Sequence, residues 1–511
     1  MNISTLFLNL KNNWKAGITV SLVSIPLSVS LAVASQTTPV VGIITAFWAG
    51  IIAAIFGGSK FNIVGPTGAL SGILASYAIA HGSSSLAMLA VVAGIMTLVA
   101  YFFKLERYLV FVPSSTIHGF TLGVAFIIAL NQANFALGIN DLEKHEKFVM
   151  NVYETMIHIN QASFAAVAIF LIFLGGLFVL LKIVPKVPGA ILLTPVGIAL
   201  GYLSSQEMLP FYLDTLQTKF GNIQATFYEI PQFYFNSSLI GAAFTVALIA
   251  ILETMISAKI ADGMTKTKYD RRKEMFGLGI ANIMSGLMGG IPATAALART
   301  SLNVKSGATH NTSAVISSIC IALISFILLQ YFKYIPLTVI AAILVYVAIR
   351  MIEREHFIRY FKYDKKGFAL AMLVAAVTVY EDPIIGILFG TAFALILFID
   401  QLSKGQYDLL VNSPRYKEAK AYTHEELSEL KGSQHVLVYS IKGALVYVNA
   451  QAHLARFEEP LSNYHSVIIR MREVHFIDLD GIETLNEIVD ILYEKEKYIY
   501  VTGVDEHIDQ Q

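Results

Sequence analysis

Fourteen apolar runs joined by short polar links fill residues 16–403 of this chain. They lie near 16–35, 40–57, 63–81, 84–103, 114–138, 163–182, 187–204, 237–258, 275–289, 293–304, 311–331, 335–350, 366–380 and 383–401. A helix needs about 20 apolar residues to cross a bilayer. A soluble protein could not hide this much apolar surface. The pattern therefore predicts a polytopic α-helical membrane protein. Composition agrees, with 14% charged residues against about 25% in soluble domains. Two runs do not fit a simple crossing. The run 63–81 is broken early by Gly65-Pro66-Thr67-Gly68, and 293–304 is too short.

Lysine and arginine orient such a chain. With the N-terminus inside, the outer loops hold Lys144, Lys147, Lys219 and Lys333. The inner links hold Lys60, Lys104, Arg107, Lys182, Lys186, the cluster Lys266 to Lys273, Lys305 and Arg350 to Lys366. This bias predicts an even number of crossings, with both termini on the cytoplasmic side of the cell (inner) membrane. Residues 1–15 form the expected cytoplasmic N-terminus. They carry no apolar core ending in a cleavage site, so the first run is expected to stay in the membrane. Residues 404–511 are charged and soluble in character, with 404–433 read as a linker. Zero net charge leaves no nucleic-acid footprint. The single cysteine, Cys320, excludes an intramolecular disulfide and a cysteine-based zinc site. No G-x-x-x-x-G-K-[ST] loop is present, which argues against ATP-driven transport, and nothing points to an enzyme.

The two halves echo each other. Gly65-Pro66-Thr67-Gly68-Ala69 resembles Ile291-Pro292-Ala293-Thr294-Ala295, and Val112-Pro113 resembles Ile335-Pro336. Fourteen segments then divide as seven plus seven, over about 16–204 and 237–401, with the second half inverted. Inverted repeats with interrupted helices in matching places point to a transporter with a midplane site. Pro66 and Pro292 each suit a helix's first turn. Two half-helices starting there would aim dipole ends and free N–H groups at one spot, which is an anion site. Thr67 and Thr294 offer hydroxyls, and Gly68, Ala293, Ala295 and Ala296 let a ligand approach backbone.

Glu253 and Arg299 sit in otherwise apolar runs, where a charge is costly unless it faces the interior. Arg299 is read as a fixed cation for the anion, or as a structural partner of Glu253. Glu253 is read as a coupling group, because a carboxyl in apolar surroundings holds a proton more readily than one in water. Ser257 lies one turn on and shares its face. Pro26 interrupts the first run, which makes Ser24 and Ser28 candidate pore-facing groups or small packing residues. His118 is read as interfacial, and Glu381-Asp382 as a solvated turn.

These motifs resemble the sulfate permease (SulP) family of anion transporters. The matching stretches are Pro26 with its flanks, Gly65 to Ala69, Val112-Pro113 with Gly119-Phe120, and above all the run from Ala261-Asp262-Gly263 through Gly279-Ile280-Ala281-Asn282 and Gly289-Gly290-Ile291-Pro292 to Ala298-Arg299-Thr300. The resemblance covers essentially the whole chain. It implies a seven-plus-seven fold with core and gate domains and a homodimer. It also implies an anion site at Pro66, Thr67, Gly68, Ala296, Leu297, Ala298 and Arg299. Glu253 falls where many members carry the acidic residue linked to proton coupling. A sodium-coupled bicarbonate carrier of the family has Asp there and Thr one turn on, where this chain has Glu253 and Ser257. Leu31 stands where some animal members have Phe.

From about Gln434 the tail resembles a STAS domain. Val436–Ser440 and Leu445–Val448 read as strands, Ala450–Leu461 as a helix and Val467–Met471 as a strand. A loop at 476–482 leads into a helix ending near Lys497, before a last strand at Tyr498–Thr502. The soluble relatives carry a phosphorylatable Ser after the loop's first Asp, where this chain has Leu479, so no phosphate switch is expected there. A scaffold or dimerisation role is expected, and the domain, 434–511, reads as C-terminally shortened.

The expected function is secondary active transport of a small anion, sulfate or bicarbonate before a dicarboxylate, by elevator-like proton symport and without a cofactor. The alternatives are a sodium-coupled bicarbonate symporter, with Na+ at Glu253, Ser257 and Thr294, an anion exchanger, a nucleobase permease of the same fold, and a non-transporting scaffold or sensor.

Overall fold

A helix occupies each of the fourteen runs. The computed structural model describes residues 3–139, 142–143, 145, 148–184, 189–221, 226–230, 235, 238–381, 383–412, 420–422, 436–458 and 465–504. The chain divides into two compact units, Met1–Thr391 and Ala392–Gln511.

The chain runs through α1 (Ile3–Ala34), α2 (Pro39–Phe56), the short strand β1 (Val64–Gly65), α3 (Gly68–His81), α4 (Ser85–Phe102), α5 (Ser114–Leu130), α6 (Ala133–Leu137), α7 (Phe148–Ile157), α8 (Phe164–Ile183), α9 (Gly189–Ser205) and α10 (Leu216–Phe220). It continues through α11 (Leu239–Thr265), α12 (Arg271–Leu287), β2 (Thr294–Ala295), α13 (Leu297–Lys305), α14 (Thr312–Phe332), α15 (Leu337–Met351), α16 (Arg354–Tyr363), α17 (Lys365–Tyr380) and α18 (Pro383–Ser403). Eight of the described helices are long and apolar enough to cross a membrane. α3 and α13 are not among them. At 1.5 Å per residue they reach only about 21 Å and about 14 Å, against a hydrocarbon core of about 30 Å. Extended backbone has to complete both, as the broken motifs predict.

Packing sorts the helices into two bundles. α1 and α2 pack on α14, and α4 and α2 on α12, with α11 against α4 and α13. In the other bundle α5 packs on α17 and α15, and α15 on α8. Small residues bring the axes close, as in other membrane bundles. A Cβ on Gly94 of α4 would lie 2.6 Å from the Gly279 carbonyl of α12, and one on Gly119 of α5 would lie 2.3 Å from the Ala371 carbonyl of α17. Only 22% of the α8 span is buried, and Phe164 and Ile172 stand 88% and 68% exposed. Such apolar faces suit lipid.

The second unit carries a five-stranded sheet. Its strands are β3 (Gln406–Asn412), β4 (Lys420–Tyr422), β5 (Val436–Leu445), β6 (Ser466–Ile477) and β7 (Tyr498–Thr502), in the order β4-β3-β5-β6-β7. β3 runs antiparallel to β4 and β5, while β5, β6 and β7 are parallel. Leu437, Tyr439 and Ile441 of β5 and Val467, Ile469 and Met471 of β6 alternate into the core. Phe457 of α19 (Tyr447–Glu458) and Ile488 and Leu492 of α20 (Leu479–Glu494) close over them.

The sheet differs from the sequence reading in two places. β3 and β4 fall within the stretch expected as linker, 404–433, whose residues 413–419 and 423–433 lie outside the described residues. Of the strand expected at Leu445–Val448, Leu445 ends β5, and Tyr447 and Val448 open α19 instead. Asn449 accepts from the Val446 amide (2.9 Å) and donates to the Ala444 carbonyl (2.7 Å), which turns the chain. Asp478 accepts the Tyr447 amide, one of the first-turn donors a helix leaves open. Asp478 also caps α20 through the Gly481 amide, and Leu479 beside it is 70% exposed. The expected C-terminal shortening concerns residues beyond Val504, outside the described residues.

Candidate functional site

The two broken segments meet. β1 pairs antiparallel with β2, Val64 opposite Ala295 and Gly65 opposite Thr294. Extended backbone within a membrane bundle must find partners, and here polar side chains supply those the two short strands cannot. Asn282 of α12 donates to the Ala293 carbonyl (3.0 Å) and accepts from the Ala293 amide (2.8 Å). Thr45 of α2 accepts the Ile291 amide, and Ser285 donates to the Ile291 carbonyl. On the other side Thr300 accepts the Ile63 amide, and Asn303 donates to the Phe61 carbonyl. Thr254 of α11 accepts the Ala295 amide and pairs with the Thr294 hydroxyl, which donates to the Ala250 carbonyl.

From this frame α3 and α13 depart. Their N-caps are Thr67 and Ala296, and neither side chain caps its own helix. Among the described residues no N-cap side chain takes the first-turn amides of either helix, the condition for holding an anion. The prolines stand elsewhere than expected. Pro66 precedes the N-cap, and Pro292 precedes β2, so Gly68 and Leu297 open the helices. The strand pair takes the place assigned to the helices' first turns: Gly65, before Pro66, favours extended backbone, and β2, past Pro292, pairs with it.

Thr67 instead donates its hydroxyl to Glu253 Oε2 of α11, at 3.0 Å. Arg299, 2% exposed, donates from Nη2 to the Pro66 carbonyl. A Cβ on Gly65 would stand 2.8 Å from Arg299 Nη1, so glycine makes room for the guanidinium. Glu253 and Arg299 form no ion pair within 4.0 Å among the described residues, although the two charges act on each other. The structure therefore brings together Pro66, Thr67, Gly68, Glu253 and Arg299. Ala296 and Leu297 are half-buried and Ala298 is exposed, which leaves the first turn of α13 open.

Ser257 donates to Thr300 (2.9 Å), part of the packing of α11 on α13. Ser24 and Ser28, one turn apart on α1 around Pro26, are fully buried, and neither hydroxyl has a hydrogen-bond partner among the described residues.

Two residues of the other bundle were not legible from sequence. A Cβ on Gly68 would lie 2.6 Å from Ile128 Cδ1 of α5 and 3.3 Å from Met351 Sδ of α15. These side chains cover the start of α3, and nothing in their apolar runs marks them out. Asn282, Thr254 and Glu274 also went without a role, although a polar residue inside an apolar run is itself a signal. A cavity of about 1180 Å³ follows the far part of α3 from Gly72 to Ile79 and is also lined by Gln132, Lys219 and Glu381. It does not reach Thr67 or Arg299.

Comparison with known proteins matches residues 10–374 to the Sulfate permease family and residues 428–510 to the STAS domain. The YvdB protein of Bacillus subtilis (strain 168) is 32% identical over 498 residues, covering 96% of this chain and 90% of that protein. The bicarbonate transporter BicA of Picosynechococcus sp. is 24% identical over 521 residues, covering 97% and 89%. Among solved structures, the murine Solute Carrier 26 family member A9 anion transporter, in the inward-facing state, superposes with a TM-score of 0.81 at 15% identity. That match covers 98% of this chain and 86% of the other, and it speaks to the fold.

Proposed function

The chain belongs to the sulfate permease family, and from that premise we propose that it is a secondary active transporter moving a small oxyanion, sulfate or bicarbonate, together with a proton. It is a multi-pass membrane protein of an anion-transporter family with a C-terminal STAS domain.

The observation that carries the reading is the Thr67–Glu253 hydrogen bond, which ties a titratable group to the N-cap of α3. An ionised Glu253 sets a negative charge beside the open amides and opposes an anion there. A protonated Glu253 removes that charge, and the Thr67 hydroxyl can turn from donor to acceptor. Anion and proton then load together. The first-turn amides of α3 and α13 hold the oxyanion, with Arg299 contributing its fixed charge and Ser24 and Ser28 their free hydroxyls. The cavity beside α3 carries Glu143, Asp214 and Glu381 against Lys219, a lining that gathers cations.

The two bundles play core and gate in a seven-plus-seven arrangement, with both termini cytoplasmic. Sliding one on the other carries Gly68 from beneath Ile128 and Met351, which exposes the site. The STAS domain supports a homodimer.

The test is uptake of labelled sulfate, bicarbonate and fumarate into proteoliposomes, with and without an inward proton gradient, for wild type and Glu253→Gln. The reading expects one oxyanion to accumulate under the gradient and the drive to vanish in the variant. Uptake indifferent to the gradient in both proteins would make Glu253 structural. Sodium-dependent uptake would shift the coupling to Na+ at Glu253, Ser257 and Thr294.

A further inference from the structure

His118 stands on the second turn of α5, Glu353 is the N-cap of α16, and His356 lies in that helix's first turn. The fold gathers these residues at one spot. His118 Nδ1 is 3.0 Å from Glu353 Oε2, and His356 Nε2 is 3.7 Å from the same oxygen. The two imidazoles stack with centroids 4.3 Å apart and planes 22° apart. One ligand atom from each residue lies within 4.8 Å of the others.

A tetrahedral zinc ion holds nitrogen and oxygen ligands at about 2.0–2.1 Å, which sets neighbouring ligand atoms about 3.3 Å apart. The two measured separations bracket that value. Two imidazoles and one carboxylate are a donor set for borderline transition metals, whereas Mg²⁺ and Ca²⁺ prefer oxygen alone. The side chains are 15%, 29% and 46% exposed for His118, Glu353 and His356, so an ion can enter and water can complete its shell.

We propose that His118, Glu353 and His356 form a binding site for a borderline divalent transition metal such as Zn²⁺, joining α5 to the junction of α15 and α16. The two side chains covering Gly68 belong to the elements this ion would tie together, Ile128 on α5 and Met351 at the end of α15. An ion there stiffens the cover over the start of α3. Binding itself stands apart from the transport reading and is tested without it.

The experiment uses tag-free full-length protein in detergent, stripped by a chelator and titrated with Zn²⁺ by calorimetry. One Zn²⁺ per chain is expected, unaffected by excess Mg²⁺, with affinity lower by at least about tenfold in His118→Ala and in His356→Ala. His356 is half-exposed, so its removal leaves the packing intact, and His356→Cys keeps a ligand and is expected to restore binding. X-ray absorption of the loaded wild type should show imidazole nitrogens around the zinc. Equal zinc affinity in wild type and the His118→Ala/His356→Ala double variant, or a zinc spectrum without imidazole scattering, overturns the site.

Discussion

Glu253 and Glu274 lie on neighbouring helices of one bundle, and the protein holds them differently. Glu274 is 4% exposed. One of its oxygens accepts the Gly58 and Ser59 amides, both at 2.7 Å, and the other accepts Asn62 Nδ2 at 2.6 Å. Asn62 also donates to the Thr254 carbonyl, which joins this knot to α11. Glu253 accepts the Thr67 hydroxyl, and the Thr294 hydroxyl also interacts with it. The distinction lies in the donors. A backbone amide only donates, so protonating Glu274 would set hydrogen against hydrogen. A hydroxyl donates or accepts, so Thr67 suits Glu253 in either state. Rigid donors make a buried carboxylate part of the frame, and a rotating one leaves it free to work.

The contrast breaks first on stability. Glu274→Ala leaves two amides and the Asn62 side chain unmatched and should cost about 3 kcal/mol. Glu253→Gln keeps shape and one acceptor and should cost under about 1 kcal/mol. Thermal unfolding of both purified variants checks the pair, and equal losses would erase the distinction.

The second largest effect comes from the tail, where His453 is wholly buried. Its Nδ1 pairs with the Tyr439 hydroxyl at 2.7 Å, while its Nε2 has no hydrogen-bond partner among the described residues. Burial, helped by the Arg456 charge, pushes its pKa down from 6.5 to about 4. The unfolded chain therefore binds a proton that the folded unit refuses between those values. Stability is full above pH 6.5 and is lost as pH falls toward 4, by about 2–3 kcal/mol. Hydrogen exchange of the β5 and β6 amides in the intact chain, corrected for the intrinsic pH dependence of amide exchange, should show lower protection at pH 5 than at pH 7.5, and His453→Gln should flatten the difference. Glu274 and His453 thus both punish a change of protonation, as Glu253 should not.

Thr67→Val gives a small structural effect and a clear functional one. It removes the rotating donor with little change of shape, so unfolding should shift by about 1 kcal/mol while gradient-driven uptake falls about tenfold. A valine variant with normal drive would show that Glu253 works without Thr67.

Much of this arrangement was legible before the fold was known. Apolar runs locate helices because hydrocarbon leaves the backbone no other partner. The Gly-Pro-Thr-Gly break and the short run at 293–304 announced the crossover, and Glu253 and Arg299 stood out because a charge in an apolar run demands a reason. The proline positions misled, because a proline beside a short strand and one opening a helix look alike in sequence. Ile128 and Met351 were invisible, since one apolar residue among many says nothing about which faces a site. The His118 cluster was hidden for another reason. Its members lie far apart in the chain, and only the packing of α5 beside the α15–α16 junction joins them. In the tail, Asn449 turned an expected strand into a helix through two side-chain bonds that composition does not reveal.

The central claim is that a proton travels with the anion through Glu253. Proteoliposomes holding a pH-sensitive dye test it directly, when the transported oxyanion is added outside at equal starting pH. Wild type should acidify the lumen in proportion to the anion taken up, and Glu253→Gln should take up anion without acidifying it or take up none. Anion entry with no lumenal acidification in the wild type, or equal acidification in Glu253→Gln, would contradict the account.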